Sequence, residues 1–263
     1  MAESRKNPVA DVRVIGGVLL ALVAVVGIAL VIRSNQSDSA VSAGAPSEIA
    51  EDDFKRDDST DALGAASTGQ PWTAVKGIWG IKDGAAVLAS GNPDGPRNYA
   101  WVELGANAVS VSAEMGEPCQ GWGLVFRYVG PNNYWLLNTS PEFAAISVAK
   151  MVNGTPVSVT KFSPVRIQNG STVGVEYRDA IITVVLDNQP IGSISDSHAT
   201  EGTKAGILGG PECVETGRWN EFRAINLPDD RPVVLAPLRV APTTPDSQPD
   251  EPDEPDPIET PGR

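Results

Sequence analysis

The sequence predicts an all-β fold over residues 70–228, built as two packed antiparallel sheets, with a barrel as the alternative. Three observations predict it. Short β-branched or aromatic runs recur at nearly regular spacing, strong turn signals separate them, and no segment keeps a helical apolar period over 10–12 residues. The runs are AAVLAS, YAWVEL, AVSVSAEM, GLVFRYV, YWLLN, AISVAKMV, PVSVTKF, VGVEYR, IITVVLD, KAGILG and WNEFRAI. Asn153-Gly154 between AISVAKMV and PVSVTKF is a hairpin signal, because a type I′ turn needs positive φ at both central residues. Asp83-Gly84 and Asp187 to Pro190 mark two more turns.

Ahead of this domain, residues 1–13 hold Arg5, Lys6 and Arg13, and the run from Val14 to Ile32 carries no charged side chain. At 1.5 Å per residue, residues 14–32 just span a hydrocarbon core. The run exceeds a signal peptide's apolar stretch of about 7–15 residues, and Arg33 follows it directly, so it reads as an uncleaved single-pass anchor. The basic side stays cytoplasmic, which puts the remainder outside. Residues 33–69, rich in Ser, Ala, Asp and Gly, read as a disordered extracytoplasmic stalk. Residues 229–263 combine Pro with repeated carboxylates and read as a disordered tail.

The net charge of -13 lies mostly in these arms, -5 on residues 33–69 and -6 on 229–263 against -3 on 70–228. With no basic patch, a nucleic-acid partner is excluded. Cys119 and Cys213 lie in the loop-like stretches GEPCQG and GPECVE with no CxxC or histidine beside them, so they read as a disulfide of an exported domain.

The order of GLVFRYVGPNNYWLLN from Gly123, a strand ending KMVNGT, the stretch VEYRDAIITVVLDNQPIGSISDSHATEGTKAGILGG and a closing WNEFRAI resembles the concanavalin A-like lectin/glucanase superfamily. Within it the chain looks most like the laminin G-like and 3-keto-disaccharide hydrolase-type domains. The resemblance implies a jelly-roll sandwich with one concave sheet, and glycans or partner proteins bound there or at the loops beside it.

Strand alternation puts Trp122, Leu124, Phe126 and Tyr128 on the core side and Arg127 on the opposite surface, where its guanidinium can meet sugar hydroxyls. Of Tyr134 and Trp135 one enters the core and the other is free to stack on a sugar. Arg127, Tyr134 and Trp135 are therefore the expected ligand-binding residues. No strand carries the paired carboxylates of a glycoside hydrolase, so no catalytic residue is assigned. The single histidine, His198, reads as an exposed loop residue, and no metal site or cofactor is expected beyond a possible structural calcium at Asp196 and Glu201. The expected function is a membrane-anchored, carbohydrate-binding recognition module, with a sugar-active hydrolase or lyase and a structural, protein-binding component of the envelope as alternatives.

Overall fold

The computed structural model describes residues 47–228 apart from 93, 94 and 96. The expected anchor at 14–32, the first part of the stalk and the acidic tail lie outside the described residues.

Two antiparallel sheets form the domain. The first runs β13 (Gln189–Ser195), β12 (Ile181–Leu186), β11 (Thr172–Arg178), β6 (Val109–Glu117), β15 (Arg218–Asn226), β4 (Ala85–Ser90) and β3 (Ile78–Lys82), with β1 (Ser47–Asp52) also pairing with β15. The second runs β10 (Thr155–Phe162), β9 (Ala145–Val152), β8 (Asn133–Ser140), β7 (Gly123–Gly130), β14 (Lys204–Gly209), β5 (Asn98–Glu103) and β2 (Thr73–Lys76). A 3-10 turn, Pro211–Cys213, precedes β15. The three hairpin signals close as expected: φ is positive at Asp83 and Gly84, at Asn153 and Gly154, and at Asp187 and Asn188.

The sheets bury apolar side chains at alternate positions, as Val109, Val111, Ala113 and Met115 do along β6. Trp79, Trp122 and Trp219 meet at 6.1 and 5.1 Å between ring centroids at one end of this core. Phe126 packs on Trp135 at 6.0 Å and on Tyr177 at 5.5 Å elsewhere in it. The expected disulfide is formed: Cys119 and Cys213 join with Cα atoms 5.9 Å apart, fastening the β6–β7 loop to the 3-10 turn.

The stalk expectation is corrected for residues 47–69, which belong to the domain. β1 adds to β15, and Phe54, Leu63 and Ala66 are buried in the common core. Asp52, fully buried, accepts from Trp72 Nε1 at 2.6 Å, from the two terminal guanidinium nitrogens of Arg56 and from the Phe54 amide. An acidic strand whose apolar contribution is Ile49 and Ala50 gives no periodic signal, so its place comes from pairing and from this buried ion pair rather than from its own pattern.

Candidate functional site: the aromatic face of the seven-stranded sheet

A second apolar cluster, separate from the sandwich core, occupies the outer face of the seven-stranded sheet. Tyr99, Val125, Tyr128, Tyr134, Leu136, Met151 and Leu208 form it, with Val75 and Trp101 packed against them. Alternation explains the membership. Along β5, Tyr99 and Trp101 point out while Ala100 and Val102 enter the core, and along β8, Tyr134 and Leu136 point out while Trp135 and Leu137 enter it.

β7 departs from strict alternation, and this reverses two sequence-based assignments. Lys204 of β14 pairs with Tyr128 while Gly206 pairs with Val125, so Phe126 and Arg127 together oppose Ala205 in a β-bulge. Arg127 takes φ 46° there. The extra residue turns Tyr128 to the outer face and Arg127 inward, opposite to the faces expected for them.

Arg127 is accordingly fully buried rather than displayed. Its guanidinium lies 5.0 Å from the Tyr177 ring centroid and donates to the carbonyl oxygens of Asp179 at 2.5 Å, Asp196 at 3.4 Å and Ile181 at 3.5 Å. It ties β7 to the β11–β12 turn and to the loop after β13. Burial lowers its pKa, opposed by Tyr177 and by the Asp196 and Asp179 carboxylates. Trp135 is the aromatic of its pair that enters the core, with Nε1 donating to the His198 carbonyl at 2.9 Å. Tyr134 is the one that faces out. Of the three expected ligand residues, only Tyr134 lies on this face.

The loop expectations also change. His198 is half-buried rather than exposed, its Nε2 lying 2.7 Å from the Met151 carbonyl and its amide donating to Asp196. Asp196, weighed as a calcium ligand, instead pairs with Lys150 at 2.5 Å, and its carbonyl accepts from Arg127. Burial raises its pKa, but Lys150 and the His198 amide outweigh that and hold it below the usual carboxylate range. A guanidinium and an ammonium stand where a cation was considered. Among the described residues no three His, Cys, Asp or Glu side chains gather as a metal site.

On the aromatic face the rings form a continuous chain. Tyr99 lies 5.4 Å from Tyr134 and 5.9 Å from Tyr128, Tyr128 lies 5.5 Å from Tyr134, and Trp101 lies 5.8 Å from Tyr128. Tyr99, Tyr128 and Tyr134 are buried, while Trp101 is half-buried at the margin. Burial first, then the phenols of Tyr134 and Tyr128, push the Tyr99 hydroxyl well above the ordinary phenol range. The Tyr99 hydroxyl and the Trp101 Nε1 have no regular hydrogen-bond partner. At the Trp101 edge, the Lys204 ammonium sits 4.7 Å from the indole and 3.8 Å from the Glu103 carboxylate. The Tyr-x-Trp spacing of β5 was visible in sequence, but nothing in one strand says which of its two faces is the core.

The eight-stranded sheet carries its own outer concavity, a groove of about 350 Å³ over β6, β11, β12, β13 and β15. Ser110, Ser112, Thr172, Gly174, Glu176 and Arg223 are among its lining residues.

Together these features define a two-sheet antiparallel β-sandwich with a built aromatic surface on one sheet. No family model and no curated protein matches the chain. Among solved structures it is similar to the carbohydrate binding module CBM66 from Bacillus subtilis, at 15% identity over 59% of this chain and 91% of that one, TM-score 0.38. It is also similar to domain 4 of AbnA, a GH43 extracellular arabinanase from Geobacillus stearothermophilus, in complex with arabinotriose, at 15% identity over 69% and 93%, TM-score 0.45. The exoplasmic/lumenal domain of VIP36, in a Ca2+/Man-bound form, matches at 13% identity over 66% and 93%, TM-score 0.42. At such identities ligand chemistry does not transfer from one chain to another.

Proposed function

We propose that this chain is a membrane-anchored, extracytoplasmic recognition module of the concanavalin A-like jelly-roll kind that binds carbohydrate at the aromatic face, with Trp101 as its contact residue. The observation that carries this reading is the chain of four rings outside the sandwich core. The three tyrosines are themselves buried and form a rigid base, so the part of the cluster open to a ligand is its half-buried margin at Trp101. Trp101 offers the open part of its indole ring, with Lys204 and Glu103 beside it able to donate to and accept from sugar hydroxyls. The tyrosines beneath hold that edge in place. Binding is favoured over hydrolysis because glycoside cleavage asks for two carboxylates across the bond, and Glu103 is the one carboxylate at the strand positions that share this face with Trp101. The apolar run at 14–32 and the basic residues before it support the anchor and its orientation, and a disulfide fits an oxidising compartment.

The test uses the full chain in detergent on a glycan array, followed by titration calorimetry of each hit. Trp101→Ala should weaken binding about tenfold or more, as an aromatic hot spot does, without lowering Tm by more than a few degrees. An array without hits, or affinity unchanged in Trp101→Ala, would reject the site.

A further inference from the structure

We infer that the open cleft at one end of the sandwich is a second subsite of the carbohydrate surface, one that takes the ammonium group of an amino sugar at Glu201; this rests on the reading of Trp101 as the glycan contact. The cleft measures about 380 Å³ and is lined by Asn107, Asp179, Ala180, Ser197, Thr200 and Glu201. Two of its walls leave the sheet beside that contact. β5 ends at Glu103 and β14 begins at Lys204, these two residues pair with each other, and the Leu104 amide donates to the Thr203 carbonyl at 2.9 Å. The segment after Glu103 supplies Asn107, and the segment before Lys204 supplies Ser197, Thr200 and Glu201. Asn107 is four residues along the chain from Glu103 and Glu201 three from Lys204, so both lie within about 14 Å of the Trp101 edge's charged pair.

The third wall is the β11–β12 turn, and buried contacts hold it against the loop after β13. The Asp196 amide donates to the Ala180 carbonyl at 2.7 Å, and the Arg127 guanidinium donates to the carbonyls of both Asp179 and Asp196. Gly202 lies so close to Arg127 that an added Cβ would stand 2.4 Å from its carbonyl carbon, so the loop rests on the β7 bulge. The walls are thus set before a ligand arrives, by groups that do not line the cleft. Its lining is an acceptor surface, with two carboxylates, a side-chain amide and two hydroxyls but no cation. Asp196 nearby is neutralised by Lys150, and the Asp179 carboxylate lies in the field of Arg127. Glu201 has no ion pair among the described residues. One uncompensated carboxylate suits a single ammonium, through a charge-assisted hydrogen bond. The hydroxyls and the amide around it suit the remaining hydroxyls of the same sugar.

Titration calorimetry of the full chain in detergent tests this with two probes, the β-1,4-linked tetramer of glucosamine and its N-acetylated counterpart, which lacks the amine charge. The amino tetramer should bind about fivefold tighter, and added salt should erase most of that difference, because exposed charges are screened. Glu201→Gln, at an exposed position, should weaken the amino tetramer about fivefold and move the acetylated one by less than about twofold, with Tm unchanged. Asp179→Asn should act in the same direction, and Trp101→Ala should weaken both tetramers. Equal affinities for the two tetramers, or a Glu201→Gln chain that binds the amino tetramer as the parent does, would overturn the inference; a loss in Trp101→Ala would then leave the contact reading standing. A loss in Glu201→Gln with none in Trp101→Ala would support the amine subsite and reject the reading at Trp101. Tighter binding of pentalysine than of the amino tetramer would overturn the inference too, by giving the cleft to a basic peptide.

Discussion

Replacing Arg127 with alanine should unfold the domain far more readily than an exposed arginine would allow. The guanidinium is fully buried, with its strongest donation to the Asp179 carbonyl at 2.5 Å and longer ones to Asp196 and Ile181. Truncation leaves these acceptors without their cation, at about 1 to 3 kcal/mol. It also removes the charge from the Tyr177 ring, worth about 1 to 2 kcal/mol when desolvated. Against this, a buried charge disappears, so the net loss should be about 3 kcal/mol. For a domain of this size that lowers Tm by roughly 6 to 12 °C. Because Arg127 has φ 46°, Arg127→Gly should be less damaging than Arg127→Ala by about 1 kcal/mol, since glycine alone adopts that conformation freely. The assay is thermal unfolding of the full chain followed by near-ultraviolet circular dichroism, where the buried tryptophans report on the core. A Tm within about 2 °C of the parent for Arg127→Ala would refute both the bulge and the inward guanidinium.

Two further outcomes follow from the core. Reducing the Cys119–Cys213 bond, which closes a separation of 94 residues, should destabilise the domain by about 4 to 5 kcal/mol in the chain-entropy model, and free thiols in the folded, unreduced protein would contradict it. Burial raises the hydroxyl pKa of Tyr99 and Tyr177 above the unfolded value of about 10, so their contribution is complete below that pH and fades as pH rises beyond it. In an alkaline absorbance titration these two of the four tyrosines should ionise only together with loss of the circular dichroism signal; ionisation of all four near pH 10 with the fold intact would count against their burial.

Strand runs and hairpin turns were legible because each is a local event: eleven apolar runs and three positive-φ turns are written into adjacent residues. What escaped depends on partners. β1 is acidic and gains its place by pairing with β15, while β2 and β3 are short, with four and five residues. β13 contains Pro190 and Gly192, which argue against a strand, but it lies at the sheet's edge, where proline is tolerated. The faces of β7 were misread at two positions for one reason. Alternation correctly separated Tyr134 from Trp135, but in β7 the bulge adds a residue that no count along a single strand reveals. From that point Arg127 and Tyr128 exchange faces, and the aromatic face loses an expected arginine and gains a tyrosine.

The pairing of β1 with β15 also fixes how the domain bears load. Ser47 lies opposite Asn226 and Asp52 opposite Phe222, so the first and last strands leave the fold at the same corner. If the segment before Ser47 is held in a membrane and the segment after Asn226 is pulled away from it, the strain acts across one end of the ladder. Hydrogen bonds then open one pair at a time, as a zipper does, and not all together as in shear. The irregular step between Glu48 and Ala50 is met early in that peeling, while the Asp52–Trp72 contact stands at its far end. Tension of modest size would therefore lengthen the tether by releasing β1 as far as Asp52, leaving the remaining strands and their disulfide staple intact.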